Sequence, residues 1–231
     1  MSELNFKVDR NKVYTYDLSS IKTQTLCIGK REEIEGLYKN IWATSVKELD
    51  GDTNFSGCNM YDGIYSYLKQ DDSVGLLKMN NLECELIRDM YQRILDTVRH
   101  RMKIIALEGC ESIQDYNEEF PEKAMKTHCF FHCGFEFVEC LDFNDLIMTT
   151  IDYCLAIGRR VGVHIIIMGI QDICDLLDKR VHKFSDKLIF PSSDEDVLKK
   201  LMGINQFIEN KCFLQTSSYD LELLDILTGG F

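Results

Sequence analysis

The chain has 231 residues, of which 45% are hydrophobic, with one Trp, 13 Phe and 10 Tyr. That length and composition suit one large α/β domain with an ordinary core and exclude a disordered chain. Acids outnumber bases 38 to 26, for a formal charge of −12, so a polyanion such as DNA is repelled at long range and a basic protein partner fits better.

The first apolar alternation, Phe6 to Asp9 and Val13 to Asp17 about Arg10-Asn11-Lys12, predicts a β-hairpin. Thr23 to Ile28 reads as a short strand. It runs into Gly29 and a helix from about Glu32 to Thr44, with Ile34, Leu37, Tyr38 and Ile41 on one face. Asp50 to Gly57 is rich in Gly, Asp and Asn and reads as a loop, followed by a short strand around Cys58 to Tyr61 and a turn at Asp62-Gly63. A long helix is predicted from about Leu82 to Leu107. Leu86, Met90, Ile94, Val98, Met102 and Ile105 form its stripe, Asn80 or Asn81 its cap and Gly109 its stop. On that helix, Arg93 to Lys103 is the densest basic stretch, and it reads as a solvated face.

After a polar loop, Gln114 to Lys126, the run His128 to Phe135 reads as a strand buried on both faces. Next come a helix from Asn144 to Arg160 closed by Gly162, a strand from Val163 to Met168 and a short helix from Asp172 to Val181. A strand Lys187 to Phe190, a helix Asp194 to Met202 capped by Ser193, a strand Lys211 to Gln215 and a last segment Leu221 to Leu227 complete the pattern. Alternating strands and helices with continuous apolar strands predict a mostly parallel sheet covered on both faces. The longest apolar window, Leu146 to Ile157, carries Asp152 and is too short to cross a bilayer. The opening MSELNFKVDR is polar and does not read as a signal peptide, so this chain is expected to be soluble.

Ten cysteines are scattered through apolar patterns such as Leu26-Cys27-Ile28 and Lys211-Cys212-Phe213, which reads as reduced thiols in a core. One cluster, His128, Cys129, His132 and Cys133 with Cys140 nearby, has ligand types that suit zinc. On a strand, however, residues 128 and 132 face away from 129 and 133. The expectation is core packing and no structural metal.

Three stretches, in this order, resemble the FtsK/SpoIIIE branch of P-loop ATPases. The first is Arg99-His100-Arg101-Met102 followed by Glu111 to Asn117, similar to that family's "R-R … G-x-x-x-I-x-x-Y-N". The second is Phe130 to Leu141, in the place of the Walker B strand and its continuation. The third is Ile157-Gly158-Arg159-Arg160-Val161-Gly162-Val163-His164-Ile165-Ile166-Ile167, similar to a helix end "A/G-R-x-x-G-I-H" entering a strand "L-I-L-A-T-Q-R-P". Within that branch the chain is most similar to the C-terminal, degraded motor domain of the membrane-anchored ATPases of type VII secretion systems, the EssC/EccC kind. The resemblance implies a RecA-like P-loop NTPase fold over residues 1–231 as a single domain, with the N-terminal hairpin as an appendage of about 20 residues. It also implies a place at the cytoplasmic face of the membrane through a larger parent, in which a hexamer can form. The implied partners are small helical secreted substrates and the parent's upstream ATPase domains, and not nucleic acid.

The residues that such a family uses on ATP are another matter. A P-loop needs a glycine-rich turn, a Lys and a Ser/Thr for phosphates and Mg²⁺. Here Gly29 can be the first glycine, but the second falls on Ile34, the Lys position on Glu35 and the Ser/Thr position on Gly36. Lys30 and Arg31 are out of register, and Glu32, Glu33 and Glu35 suit an ordinary helix start. The Walker B Asp falls on Phe135, or on Gly134 after a slide of one, which leaves Glu136 as a vestigial catalytic base. The sensor T-Q-R-P becomes Gly169-Ile170-Gln171-Asp172. Arg159 and Arg160 read as helix-end cations complementing the dipole, rather than as a trans-acting arginine pair. The expectation is a pseudo-ATPase domain that has lost ATP and Mg²⁺ binding and serves in substrate docking and regulation. An active ATPase with an unusual loop and a zinc-binding regulatory domain are the alternatives.

Overall fold

The computed structural model describes residues 3–7, 13–17, 24–47, 53–61, 65–70, 73–78, 83–190, 201, 211–215 and 221–225. In chain order the strands are β1 (Glu3–Lys7), β2 (Val13–Asp17), β3 (Thr25–Ile28), β4 (Thr53–Asn59), β5 (Tyr65–Gln70), β6 (Ser73–Lys78), β7 (Thr127–Cys133), β8 (Val163–Gly169), β9 (Asp186–Ile189), β10 (Lys211–Gln215) and β11 (Leu221–Asp225). The helices are α1 (Arg31–Lys47), α2 (Glu83–Leu107), α3 (Ile113–Glu119), α4 (Asn144–Ile157) and α5 (Ile173–Leu177), with 3-10 turns at Pro121–Lys123, Phe135–Cys140, Gly158–Val161 and Asp178–Lys183.

Uninterrupted Ile, Val, Phe and Cys runs cannot leave a face in water, and they form the centre of a nine-stranded sheet ordered β11-β10-β9-β3-β8-β7-β4-β5-β6. The middle five, β9 to β4, are parallel, and both edges are extended by antiparallel strands. Counted in chain order, those five run fifth, first, fourth, third, second across the sheet. Successive side chains alternate between two cores. Phe130, Ile165 and Ile167 join Ile87, Ile94, Val98, Ile147 and Ile151 from α2 and α4 on one face. Cys129, Phe131, Cys133, Ile166 and Met168 join Ile34, Leu37 and Tyr38 from α1 on the other. At the amino edge the buried Gln24 amide stitches three strands. It donates to Val163 O at 2.9 Å and accepts from Ile165 N at 2.8 Å, while the Gln24 backbone N–H donates to Ser185 Oγ at 2.8 Å.

The glycine stops are where the sequence places them. Gly109 lies at φ 75°, with Cys110 N–H on Ile105 O at 3.0 Å, closing α2 by a left-handed cap. Gly162, at φ 65°, ends the turn after α4. Arg101, almost fully buried, braces that turn. Its guanidinium donates to Val161 O and Gly162 O at 3.0 and 3.2 Å and to Lys126 O at 2.6 Å.

Several elements differ from expectation. Most of Asp50 to Gly57 is not loop, because Thr53–Asn59 pairs along its whole length with β7. β5 and β6 form an antiparallel extension that the pattern did not indicate. The polar stretch Gln114 to Lys126 contains α3, whose N-cap Ser112 accepts from Asp115 N. β1 starts earlier than the predicted Phe6 and pairs antiparallel with β2. The turns at Arg10–Lys12 and Asp62-Gly63, the caps Asn80, Asn81 and Ser193, and the helix Asp194 to Met202 apart from Leu201 lie outside the described residues.

Candidate functional site

In an open α/β sheet, ligands bind at the carboxyl ends of the strands. Here the ends of β3, β8, β7 and β4 frame a cleft of about 360 Å³ lined by Arg31, Tyr61, Glu136, Phe137, Glu139, Ile170, Asp172 and Leu176.

One side of that cleft is built by β3, Gly29-Lys30 and α1. α1 begins at Arg31, so only Gly29 and Lys30 separate it from the end of β3 at Ile28. Residues Arg31 to Gly36 are therefore helix, and the Glu35 and Gly36 positions lie within it. Ile34 is fully buried against the sheet, and Glu35 is turned to Arg31 at 2.6 Å and Lys39 at 3.7 Å. Lys30 occupies the N-cap. Its N–H donates to Glu33 Oε2 at 2.7 Å, half of a capping box, and its carbonyl accepts from Ile34 N. Acidic side chains thus sit on the helix N-terminus, the place that attracts a phosphate in nucleotide-binding domains. Gly29 is held from both sides. A Cβ there would lie 2.8 Å from Phe190 Cδ2 and 2.9 Å from Glu33 Oε2.

Past β7 the chain turns at Gly134, φ 80°, into the 3-10 turn. Phe135, which with Gly134 is where the sequence register sets the Walker B Asp, is fully buried in the core beside α2 and α4. Glu136 is at the strand end. One carboxylate oxygen accepts the Tyr61 hydroxyl proton, and the other accepts Ile170 N–H at 3.3 Å. Burial and this carboxylate together push the Tyr61 hydroxyl pKa far up, so it stays protonated and donates. The Arg31 guanidinium lies over the Tyr61 ring, 4.9 Å from its centre, and donates to Tyr61 O at 3.0 Å. Gly169 and Ile170 close on this carboxylate, and Gln171-Asp172 lead into α5.

The structure thus places Gly29 and Lys30 after the end of β3, Glu35 and Gly36 within α1, and Phe135 and Glu136 in the turn after β7, and of these six Glu136 lines the cleft. Arg159 and Arg160 are at the amino end of β8, separated from the cleft by a strand of seven residues, and Arg160 donates to Glu111 O. Of the zinc-type residues, His128 meets Ser56 Oγ at 2.8 Å, and His132 meets Tyr91 Oη at 2.6 Å and Met60 Sδ at 3.2 Å. Cys129 and Cys133 face the opposite core, where burial raises both thiol pKa values. Tyr61, Phe137, Glu139 and Leu176 were not singled out in the sequence. They meet only because β4 and β8 flank β7, and no local pattern signals that.

The sheet order and the helices on both faces form an α/β fold with a mostly parallel centre, and solved ATPase domains share it. Among solved structures, the chain superposes on the pCW3 conjugation coupling protein TcpA, in its monomer form with ATPγS, with a TM-score of 0.69 at 9% identity, covering 97% of this chain and 64% of that one. It also matches the cytoplasmic domain of the Thermomonospora curvata type VII secretion ATPase EccC, at TM-score 0.63 and 16% identity over 93% of this chain and 27% of that one. ATPases 2 and 3 of the same organism's EccC, in complex with a signal sequence peptide, match at TM-score 0.64 and 12% identity over 100% of this chain and 41% of that one. The chain therefore spans at most 64% of these proteins, and identities this low show the fold. No family model matches the sequence, and no curated relative does.

Proposed function

We propose that this chain is a non-hydrolysing pseudo-ATPase domain of a type VII-like protein-secretion motor, which docks secreted cargo and regulates the parent's upstream ATPase domains. The observation that carries the reading is the junction of β3 and α1. Two residues, Gly29 and Lys30, leave no chain to arch around a phosphate, and Glu33 takes the helix N-terminus itself. Mg²⁺ would find Phe135 buried in the core where a carboxylate is needed. Among the described residues the sheet and its packed helices are retained, and their surfaces would serve to bind small helical substrates. Anchoring at the cytoplasmic face, and any hexamer, would come from the parent protein.

The competing reading, an active motor with an unusual loop, is favoured by Glu136 alone, which stands at a strand end where a base could act. Calorimetry with ATP–Mg²⁺ decides between them. The expected result is no saturable binding. A dissociation constant at or below roughly tens of micromolar would overturn the proposal, since that requires on the order of −6 kcal/mol of specific contacts. Glu35→Lys alone is expected to restore nothing. For docking, the domain is exchanged within the parent while the upstream ATP sites stay intact. A changed set of secreted substrates supports the role, and secretion unchanged in amount and identity refutes it.

A further inference from the structure

The cleft has a charge that its own side chains leave uncompensated. Three carboxylates, Glu136, Glu139 and Asp172, face one guanidinium, Arg31. These groups are not equivalent. Arg31 is engaged by Glu35 and by the Tyr61 ring and carbonyl. Glu136 is engaged at both oxygens. Glu139 and Asp172 are exposed, and neither has a side-chain hydrogen bond or ion pair among the described residues.

Beside them the walls are apolar. Phe137 is 40% exposed, one of the few large hydrophobic side chains on the described surface, and its ring meets Tyr61 edge to face at 5.7 Å. Leu176 and Ile170 complete the wall. An aromatic face next to two unneutralised carboxylates complements a side chain that is apolar along its stem and cationic at its tip. A polyphosphate would meet charge of its own sign. A volume of about 360 Å³ has room for one long side chain and an apolar neighbour.

We propose that this cleft docks a segment of a protein partner through one Arg or Lys, with the alkyl stem along Phe137 and Leu176 and the cationic head at Glu139 and Asp172. An adjacent apolar residue packs on Ile170 and Tyr61. The inference rests on the cleft's holding no nucleotide. The formal charge of −12 favours a basic partner over a second copy of the chain.

The test titrates the whole chain with acetyl-Leu-Leu-Arg-Leu-amide and with its Glu-for-Arg counterpart, following backbone amide shifts. The expected result is saturable shifts at Phe137, Glu139, Ile170 and Asp172, with the arginine peptide binding about tenfold tighter or more. The double variant Glu139→Lys, Asp172→Lys should weaken that peptide by about tenfold with its thermal midpoint preserved, because both side chains are exposed. Equal affinity for the two peptides, shifts elsewhere, or an unchanged double variant would overturn the proposal. So would self-association that the double variant abolishes, which would assign the cleft to a second copy. A parallel ATP–Mg²⁺ titration separates the two levels. Tight ATP binding that expels the peptide removes the pseudo-ATPase reading itself. Absent ATP binding with charge-insensitive peptide binding removes only this inference.

Discussion

Lowering the pH from 7 to 4.5 should destabilise the protein through His132. Its ring is fully buried, 5.0 Å centre to centre from Phe135 and 6.3 Å from Phe130. A thioether accepts but cannot donate, so Nε2 carries the proton towards Met60 Sδ at 3.2 Å and Nδ1 accepts from the Tyr91 hydroxyl at 2.6 Å. Among the described residues no carboxylate contacts the ring, and burial lowers its pKa from 6.5 to about 3. The folded state therefore holds the ring neutral, while the unfolded chain takes up a proton as pH falls through 6.5. Between those values the unfolded state binds more protons, so stability is complete above pH 6.5 and declines towards pH 3. At pH 4.5 the unfolded chain is two pH units below its own pKa, and this one group removes roughly 2–3 kcal/mol. That is a large part of the roughly 5–15 kcal/mol that holds a typical domain together. Urea unfolding followed by circular dichroism at pH 7 and pH 4.5 measures it, with His132→Gln as the control that cannot protonate. The variant starts weaker at pH 7 but should lose roughly 2–3 kcal/mol less than the parent on acidification, because carboxylate effects are common to both. Equal losses in the two proteins would refute the assignment.

Two further outcomes follow from packing. Arg101→Ala removes the donors to Val161 O, Gly162 O and Lys126 O and should cost about 2–4 kcal/mol, read as a thermal midpoint lower by roughly 2–4 °C per kcal/mol. Arg101→Met should cost less, since it fills the space without the buried charge whose desolvation brings the guanidinium pKa down to about 10. Gly29→Ala places a Cβ against Phe190 and Glu33 and should cost about 1–3 kcal/mol in urea. A neutral result there would mean that the β3–α1 junction has slack, and with it room for a ligand.

Much of the fold was legible because burial leaves a periodic trace. The unbroken run Val163 to Met168 could only be a strand covered on both faces, and Phe130 and Phe131 do enter opposite cores. β4 was hidden because its Asn and Gly residues, with Asp50 and Asp52 just before them in the sequence, read as loop. Gly57 is there for tertiary reasons: a Cβ would meet Phe131 O and Tyr38 Oη, both at 3.2 Å, so the residue lets α1 approach the sheet. β5 and β6, short and interrupted by Lys69 and Gly75, owe their form to pairing at the edge of the sheet. Reading Gln114 to Lys126 as loop missed α3, although Ser112 caps it by accepting from Asp115 N–H at 3.2 Å. The cleft was half legible. Glu136 and the residues of α1 could be found by register, but Tyr61 and Phe137 become neighbours only through the order of the strands.

That order also bears on how such a cleft can act. Backbone hydrogen bonds already run past the strand ends, from Gly29 N to Gly169 O, Gly134 N to Met168 O, Met60 N to Cys133 O and Phe190 N to Ile28 O. Side chains add a second tier, from Arg31 through Tyr61 to Glu136 and on to Ile170 N. In a nucleotide-binding domain a phosphate and its Mg²⁺ bridge such loops, and their loss on hydrolysis releases them. Here covalent residues of the chain make the bridge. On the proposed pseudo-ATPase reading, hydrolysis would have nothing to remove, and the shape of this edge would be independent of nucleotide state. Any influence on neighbouring domains must come from an occupant that binds one arrangement of them better than another, and it can be no larger than that difference in affinity.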